Sequence, residues 1–480
     1  MMLRKLLFSR VFFILLLISI TLTTPFKANE SPISNNKNEK LDSYIQKTVN
    51  KLVIPGLSIA ISYEGELVYS QVFGEDINKQ TQFYIGSTTK PFTSLAIMQL
   101  MERGQIKLDE KVSTYLPAFT VSEKITVRHL LQHTSGMSES EYISKLPPYA
   151  HFSDLIEDMN QLELSNEPGD AFFYFNPNYS LLGAIIESVS GYTYPDYIKE
   201  HIIDTLQLNH TSLSGEVDTP GHVSFFGIPI KRTEPFKNYD LPAGYITSTA
   251  EDIVTFLDAF AYGKTELGIS QESVSQMMTG NSANYGMGWI VSNVGGTQAV
   301  HHGGSLPGYS SEAIILNEEG YNISYLINKN HLINGMVFYP DLTDGIISIL
   351  MDRDPVSKAN YYWIVRVLLV LFVATLLYNV YNAAKMIKQR NDITMKQRIK
   401  GSILNTTIPL TVILLIPILS PYILGRGMTW ELAFLVSPDL IAWLFLGVGV
   451  HLVEAAIHIG FIIKEISSDK DSKCHEVTIS

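Results

Sequence analysis

The chain has 480 residues, a formal net charge of -12 and one cysteine, Cys474. This charge argues against a nucleic-acid partner, which would require a basic face. The single cysteine lies near the C-terminus, so the rest of the chain has no disulfide and depends on its core. The length allows two or three domains.

The N-terminal segment has the pattern of an export signal. Arg4, Lys5 and Arg10 precede a short apolar run, which is typical of a signal peptide or an uncleaved anchor. We assign residues 1–28 to this segment. The polar residues 29–40 are predicted to form a disordered spacer. Either form of the signal predicts that the next part of the chain is exported.

Residues 41–353 are predicted to form one α+β domain. Its strands come from the two ends of this range, and its middle is mainly helical and broken by Gly and Pro. The predicted end elements are helices over 41–52 and 342–351 and strands over 56–62, 67–73, 288–294, 311–316 and 321–328. This order predicts an antiparallel sheet flanked by helices, with an inserted all-helical region and a cleft between the two parts.

Ser87 and Lys90 lie at the start of a predicted helix in this domain. Pro91 lacks an N–H group, so the helix begins no earlier than about Ser87. Backbone N–H groups in a first turn stabilise the negative charge of an attacked carbonyl, and Lys90 faces the same way as Ser87. A lysine with a lowered pKa can take the proton of a serine hydroxyl. The alternative is a helix cap followed by a solvated lysine, and this pair alone does not exclude it.

Two further clusters contain groups that such a site would need. Tyr174 and Asn176 follow a Pro-Gly turn. A tyrosine beside a lysine can relay a proton, and an asparagine can orient a lysine and a substrate carbonyl. Residues 301–311, HHGGSLPGYSS, supply glycines that let a ligand approach the backbone and a histidine donor. Each cluster alone also has an ordinary structural interpretation. Tyr174 and Asn176 would be an aromatic residue in a loop and an asparagine in a turn, and residues 301–311 would be a glycine-rich hairpin.

The three clusters together resemble the SxxK, YxN and KxG or HxG motifs of the penicillin-binding-protein and class C β-lactamase family of serine hydrolases. Connecting stretches read like the family's as well: residues 125–137, 168–169, 242–256 and 285–289. The resemblance covers roughly residues 41–351. It implies a β-lactamase/transpeptidase-like fold and an activity without a cofactor.

The resemblance also implies roles for individual residues. Ser87 would be the acylated nucleophile, Lys90 its base and Tyr174 the proton relay. The implied substrate-binding residues are Asn176, His302, Gly304 and Ser305. The backbone N–H groups of Ser87 and Ser305 would form the oxyanion hole.

The third motif departs from the β-lactamases, which carry a lysine where this chain has a histidine. His301 competes with His302 for this position, and the spacing to Pro307-Gly308 favours His302. A histidine is mostly neutral near pH 7, so it binds a substrate carboxylate less strongly than a lysine does. The departure favours an esterase, a peptidase or a D-amino-acid-specific hydrolase over a β-lactamase.

His129 and His133 have the i, i+4 spacing that can bind zinc on a helix. No glutamate follows His129 as in HExxH, and the sequence offers no evident third ligand. We therefore predict no metal site. The pair is expected to pack and cap in the loop before Ser135-Gly136.

The C-terminal part has a different composition, with three long apolar segments near the length of a membrane helix: residues 363–381, 408–424 and 440–463. Residues 385–400 form a basic loop, which the positive-inside rule places in the cytoplasm. Residues 41–353 would then lie outside and the tail, residues 464–480, inside. Core helices of a soluble domain are the alternative.

His451, Glu454 and His458 share one face of the last apolar segment. Ionisable groups at this depth usually face a bundle interior or a water-filled path. Two interpretations remain open, namely a proton or ligand path and plain interhelical hydrogen bonding.

The sequence thus predicts a multi-pass cell-membrane protein whose extracellular serine hydrolase domain forms an acyl-enzyme at Ser87. The substrate would be an ester or amide, either a small molecule or a peptidoglycan-like cell-envelope compound such as one containing D-amino acids. The alternative is a non-catalytic ligand sensor or accessory domain of a membrane protein. Intact Ser87, Lys90 and Tyr174 argue against that alternative. The predicted partners are this substrate and the bilayer, and the oligomeric state is open.

Overall fold

A computed structural model describes residues 37–138, 146–263, 265–388, 394–424, 430, 433–434 and 437–477. The predicted signal segment, residues 1–28, lies outside the described residues, as does the spacer up to residue 36. The chain forms two compact units. The sheet unit contains Ser31–Ser224 and Ile228–Asn360, and the helical unit includes Phe225–Gly227 and Tyr361–Ser480.

The strands of the sheet unit come mainly from its two ends. They are β1 Gly56–Tyr63, β2 Glu66–Gly74, β3 Phe83–Tyr84, β4 Gly221–Phe225, β5 Ile228–Arg232, β6 Thr247–Ser248, β7 Ile290–Val294, β8 Thr297–Leu306, β9 Tyr309–Leu316 and β10 Tyr321–Ile327. Six of them form an antiparallel sheet in the order β2-β1-β10-β9-β8-β7. The two ends of the domain meet at the β1–β10 pair, where Leu57 lies opposite Ile327 and Tyr63 opposite Tyr321.

Helices cover the sheet and fill the region between β3 and β7. They are α1 Lys37–Leu52, α2 Lys90–Glu102, α3 Val112–Tyr115, α4 Val127–Leu131, α5 Phe152–Met159, α6 Pro177–Ser190, α7 Tyr194–Ile198, α8 Asp204–Leu206, α9 Leu241–Gly244, α10 Ala250–Ala261, α11 Gln271–Met277 and α12 Tyr339–Leu350. The core centres on α2, in which every residue from Lys90 to Leu100 is buried. Phe92 of α2 stacks on Phe256 of α10 with ring centroids 3.8 Å apart. A helix enclosed in this way fixes the position of the residues at its N-terminus.

The predicted α+β architecture, an antiparallel sheet flanked by helices, is confirmed. The periodicity of the sequence does not predict β8, because its Gly303-Gly304 pair lowers strand propensity. Pairing with β7 and β9 on both sides overrides that preference. The prediction that the inserted region is all-helical is wrong, because the β4–β5 hairpin and the strand β6 lie within it. The helix α1 begins at Lys37, within the segment assigned to the spacer.

The helical unit contains three long helices, α13 Trp363–Lys388, α14 Met395–Leu424 and α15 Pro438–Val477. Among the described residues, two stretches are long and apolar enough to cross a membrane, Lys358–Lys388 and Pro438–Ser467. The sequence predicts three membrane helices, and two of them meet this criterion. The remaining segment, residues 408–424, belongs to α14, whose first turns are basic. Its apolar part is at the short end of what a membrane helix needs.

The polar face of α15 contacts α14. Asn405 of α14 donates from Nδ2 to Glu454 Oε2 at 3.1 Å, and His451 Nδ1 lies 3.4 Å from the same oxygen. Of the two interpretations of this face, interhelical hydrogen bonding is therefore confirmed for Glu454.

Candidate active site

Ser87 lies in a short 3-10 turn, Gly86–Thr89, that runs directly into α2. The turn begins at Gly86, which has a positive φ of 52°. A Cβ atom at Gly86 would lie 2.5 Å from the backbone nitrogen of Ser305, so the residue must be glycine for β8 to approach this closely. The N-terminus of α2 and the end of β8 therefore meet at Ser87.

The Lys90 side chain is buried in the first turn of α2, and its Nζ hydrogen-bonds to groups from distant parts of the chain as well as to Ser87. The partners include Ser87 Oγ at 3.0 Å, Asn176 Oδ1 at 2.8 Å and the carbonyl oxygen of Ala243 at 2.6 Å. The predicted SxxK pair is thus in contact, and Asn176 of the second cluster joins it. Ala243, which no sequence argument singled out, supplies another partner.

Tyr174 lies beside this lysine. The Lys90 Nζ is 5.0 Å from the centre of the Tyr174 ring and 5.4 Å from that of Tyr179. The Tyr174 ring also faces His302, with ring centroids 6.3 Å apart. The second and third sequence clusters therefore converge on Ser87 and Lys90.

His302 is buried on β8 and is held at both ring nitrogens. Its Nδ1 lies 2.8 Å from the carbonyl oxygen of Gly303, and its Nε2 lies 3.1 Å from the hydroxyl of Tyr285. A carbonyl only accepts, so Nδ1 carries the proton and Nε2 accepts from Tyr285. Burial, which disfavours the charged form, lowers the pKa of His302 to about 3. The imidazole is therefore neutral near pH 7.

His301 has other partners. Its Nε2 lies 2.9 Å from Ser292 Oγ, and its Nδ1 lies 3.0 Å from Glu312 Oε1. Because successive side chains of a strand point to opposite faces, His301 and His302 lie on different faces of β8. His302, not His301, lies on the face of Tyr174.

Gly304 and Ser305 form the edge of the site on β8. A Cβ atom at Gly304 would lie 1.9 Å from the carbonyl oxygen of Ile85, so a side chain there would push β8 away from Ser87. Ser305 is exposed, and its Oγ accepts from Asn330 Nδ2 at 2.7 Å. The same Nδ2 donates to the carbonyl oxygen of Leu306 at 2.8 Å. Asn330 therefore braces the end of β8.

His129 caps α4, as expected. Its backbone N–H donates to Thr126 Oγ1, and its Nδ1 accepts from the backbone N–H of Thr126, both at 3.3 Å. His133 is fully buried beside the Tyr174 ring. In the described part of the chain, no three His, Cys, Asp or Glu side chains are grouped so that they could hold a metal ion.

Ala243, Tyr285 and Asn330 contact the site residues without having been predicted to do so. Ala243 and Tyr285 could have been found from the sequence, because they lie in the stretches 242–256 and 285–289 that resemble the family. Asn330 lies in no such stretch. Its contact with Ser305 joins β8 to the segment after β10, which only the folded sheet brings together.

The sequence matches the Beta-lactamase family model over residues 41–340. Protein flp of Staphylococcus aureus (strain MW2) is 29% identical over 327 residues, which cover 62% of this chain and 64% of that protein. The putative penicillin-binding protein PbpX of Bacillus subtilis (strain 168) is 32% identical over 302 residues, 60% of this chain and 73% of that protein. The match thus spans slightly less than two thirds of flp.

A solved structure is similar as well. The octameric penicillin-binding protein homologue from Pyrococcus abyssi superposes with a TM-score of 0.58 at 27% sequence identity. The superposition covers 66% of this chain and 78% of that one.

Proposed function

The chain belongs to the Beta-lactamase family, and from this premise we propose that its sheet unit is a serine hydrolase in which Ser87 forms an acyl-enzyme with an ester or amide. The observation that carries the proposal is the set of hydrogen bonds around the buried Lys90. A lysine with these partners is suited to serve as the base for Ser87.

The partners of Lys90 determine where its lone pair would point. Asn176 Oδ1 and the Ala243 carbonyl only accept hydrogen bonds, so each holds one N–H of the amine. A neutral amine has two N–H groups and one lone pair. Ser87 Oγ, unlike these two oxygens, has a proton to give, so the lone pair of a neutral Lys90 can face it. This arrangement prepares Lys90 to accept that proton.

The reaction follows from this arrangement. Ser87 Oγ attacks the carbonyl carbon while its proton passes to Lys90 Nζ. The negative charge that develops on the carbonyl oxygen is stabilised by the backbone N–H groups of Ser87 and Ser305, which Gly86 allows to lie close together. Tyr174 relays the proton from Lys90 to the leaving alcohol or amine. The bond between the carbonyl carbon and the leaving group breaks, and the alcohol or amine departs. Water then attacks the acyl carbon and gives one proton to Ser87 Oγ, so that the bond to Ser87 breaks and the carboxylic acid is released.

The substrate class is inferred from His302. A neutral, buried imidazole offers a substrate carboxylate no full charge, so the site favours esters, peptides or D-amino-acid derivatives over β-lactams. Two relatives, PbpX and the Pyrococcus abyssi protein, are described as penicillin-binding or homologous to such proteins. This supports a peptidoglycan-like compound as the natural substrate.

The proposal is tested by incubating the full-length chain with p-nitrophenyl esters and, separately, with a fluorescent penicillin. Ester turnover that is lost in Ser87→Ala supports the serine hydrolase. Stable penicillin labelling would indicate a penicillin-binding protein, rapid penicillin hydrolysis a β-lactamase, and ester turnover without labelling an esterase. If neither compound reacts, the domain is a non-catalytic ligand sensor and the proposal fails.

The chain would be anchored in the cell membrane with the sheet unit outside and residues 385–400 in the cytoplasm. The two apolar helical stretches support an anchor. We propose that α14 provides a third span, which places the tail inside, whereas two spans alone would return it to the outside.

The single native cysteine distinguishes these topologies. With an impermeant thiol reagent on intact cells, three spans predict that Cys474 reacts only after lysis. In a Cys474→Ser background, Ser122→Cys should react on intact cells and Gln389→Cys should not. Labelling of the native Cys474 on intact cells would exclude the third span. Labelling of Gln389→Cys but not Ser122→Cys would overturn the whole topology.

A further inference from the structure

His133 is bound to the loop that carries Tyr174 at three points. Its backbone carbonyl accepts the N–H of Phe173 at 2.9 Å. Its ring nitrogen Nδ1 accepts the N–H of Phe175 at 3.2 Å and faces Asn178 Nδ2 at 3.1 Å. The residues on both sides of Tyr174 are therefore tied to one histidine that lies more than forty positions earlier in the chain.

The tautomer of His133 follows from these partners. Asn178 Oδ1 accepts from Ser135 Oγ at 2.9 Å, which turns Asn178 Nδ2 toward the histidine. Nδ1 thus faces two N–H donors and must be unprotonated, so Nε2 carries the proton. In the described part of the chain, Nε2 has no hydrogen-bond partner. Complete burial lowers the pKa of His133 well below its usual range, so Nδ1 keeps its lone pair.

The backbone of His133 has a left-handed conformation. Its φ is 55°, which is uncommon for residues other than glycine and is adopted more often by histidine, asparagine and aspartate than by most others. Its ring lies 4.4 Å from the Tyr174 ring, and the Tyr285 and Tyr179 rings lie at 5.0 and 5.2 Å. The left-handed turn at His133 thus places the imidazole against the Tyr174 ring.

We propose that His133 is the positioning residue of the site and that its Nδ1 acceptor holds the Tyr174 loop, and with it Asn176, against Lys90. The inference rests on the proposed function of Ser87. It assigns His133 no contact with substrate. Its effect passes through Tyr174 and Asn176, whose distances to Lys90 depend on the loop.

Three substitutions separate this role from simple filling of space. In His133→Asn, the side-chain oxygen replaces Nδ1, and asparagine tolerates the positive φ. His133→Gln is closer in volume but places its amide one bond further out, and His133→Ala has no acceptor. The Ala and Gln variants should lower kcat by about 10²-fold and change KM less. This is the loss expected when a catalytic group is displaced by about 1 Å. Asn should retain most of the activity.

Two comparisons test whether the effect passes through Tyr174. His133→Ala should lower kcat less in a Tyr174→Phe background than in wild type, because displacement of an absent relay costs nothing and only the displacement of Asn176 remains. His129→Ala is the matched control, since it removes a capping histidine of the same segment and should leave kcat unchanged. An Asn variant as slow as Gln, with an unchanged Tm, would contradict the role of Nδ1.

Hydrogen–deuterium exchange of the full-length chain tests the placement without relying on activity. The Phe175 amide should exchange faster in His133→Ala and His133→Gln than in wild type and His133→Asn. Unchanged protection in Ala and Gln would overturn the inference even in an active protein. If the wild type proves inactive while this pattern is observed, the hydrolase proposal fails and the anchoring of the loop by His133 is supported.

Discussion

The neutral state of His302 makes a quantitative prediction about stability at low pH. The folded-state pKa of about 3 lies below the ordinary value of 6.5, so between these pH values the unfolded chain binds a proton on His302 that the folded chain does not bind. The contribution of His302 to stability is therefore fully present above pH 6.5 and is lost as the pH falls toward 3. At pH 5 the loss is about 2 kcal/mol, from 1.36 kcal/mol for each unit between 6.5 and 5.

The variant His302→Gln isolates this loss. Its amide oxygen can still accept from the Tyr285 hydroxyl, but it does not titrate. The free energy of unfolding of the full-length chain is measured by pulse proteolysis in urea at pH 7 and pH 5. Wild type should lose about 2 kcal/mol more than the variant over this interval. Other histidines titrate in both proteins and cancel in the difference.

Equal losses in wild type and variant would show that His302 does not resist protonation in the folded protein. They would mean that the imidazole is hydrated or already charged in the folded state. The substrate argument would then fail as well, because a charged His302 could hold a carboxylate in the way that a lysine does.

Three further predictions concern the site. Lys90→Met and Lys90→Arg should each lower both kcat and kcat/KM of p-nitrophenyl ester hydrolysis by at least about 10²-fold, because neither side chain can act as a base. Neither substitution should lower the activity of Ser87→Ala any further. A Lys90→Met enzyme with activity within tenfold of wild type would contradict the role of Lys90 as the base. Gly86→Ala should abolish acylation and lower Tm, because its Cβ would meet the Ser305 backbone. Gly104 is the control: it has a similar positive φ of 72° but open space around it, so Gly104→Ala should only lower Tm slightly. Equal activities of the two variants would show that the close approach of β8 is not required. Asn330→Ala should raise KM more than it lowers kcat, since it frees the end of β8, and unchanged steady-state kinetics would show that this brace is not needed.

The SxxK pair could be located from the sequence because local rules fix it. Pro91 limits where the helix can start, and a spacing of three residues places Ser87 and Lys90 on one face. The structure agrees, except that Ser87 lies in a 3-10 turn before the α-helix. Tyr174 and Asn176 could be named only because three motifs occur in one order, since each alone is an ordinary loop residue.

The remaining features depend on contacts between distant parts of the chain. Asn330 reaches Ser305 across a hairpin, and His133 reaches Phe175 across forty-two positions. No periodicity or local propensity encodes such pairs. The pKa of His302 likewise depends on burial by the folded core, so the sequence could indicate a mostly neutral histidine but not how strongly it resists protonation.

Covalent labelling shows which residue becomes acylated, and we expect it to be Ser87. The full-length chain is incubated with a fluorophosphonate that carries a mass tag, digested and mapped by mass spectrometry, with Ser87→Ala in parallel. One adduct is expected, on the peptide that contains Ser87, and none is expected in the variant. An adduct on another serine with Ser87 unmodified, or wild-type ester turnover by Ser87→Ala, would contradict this expectation.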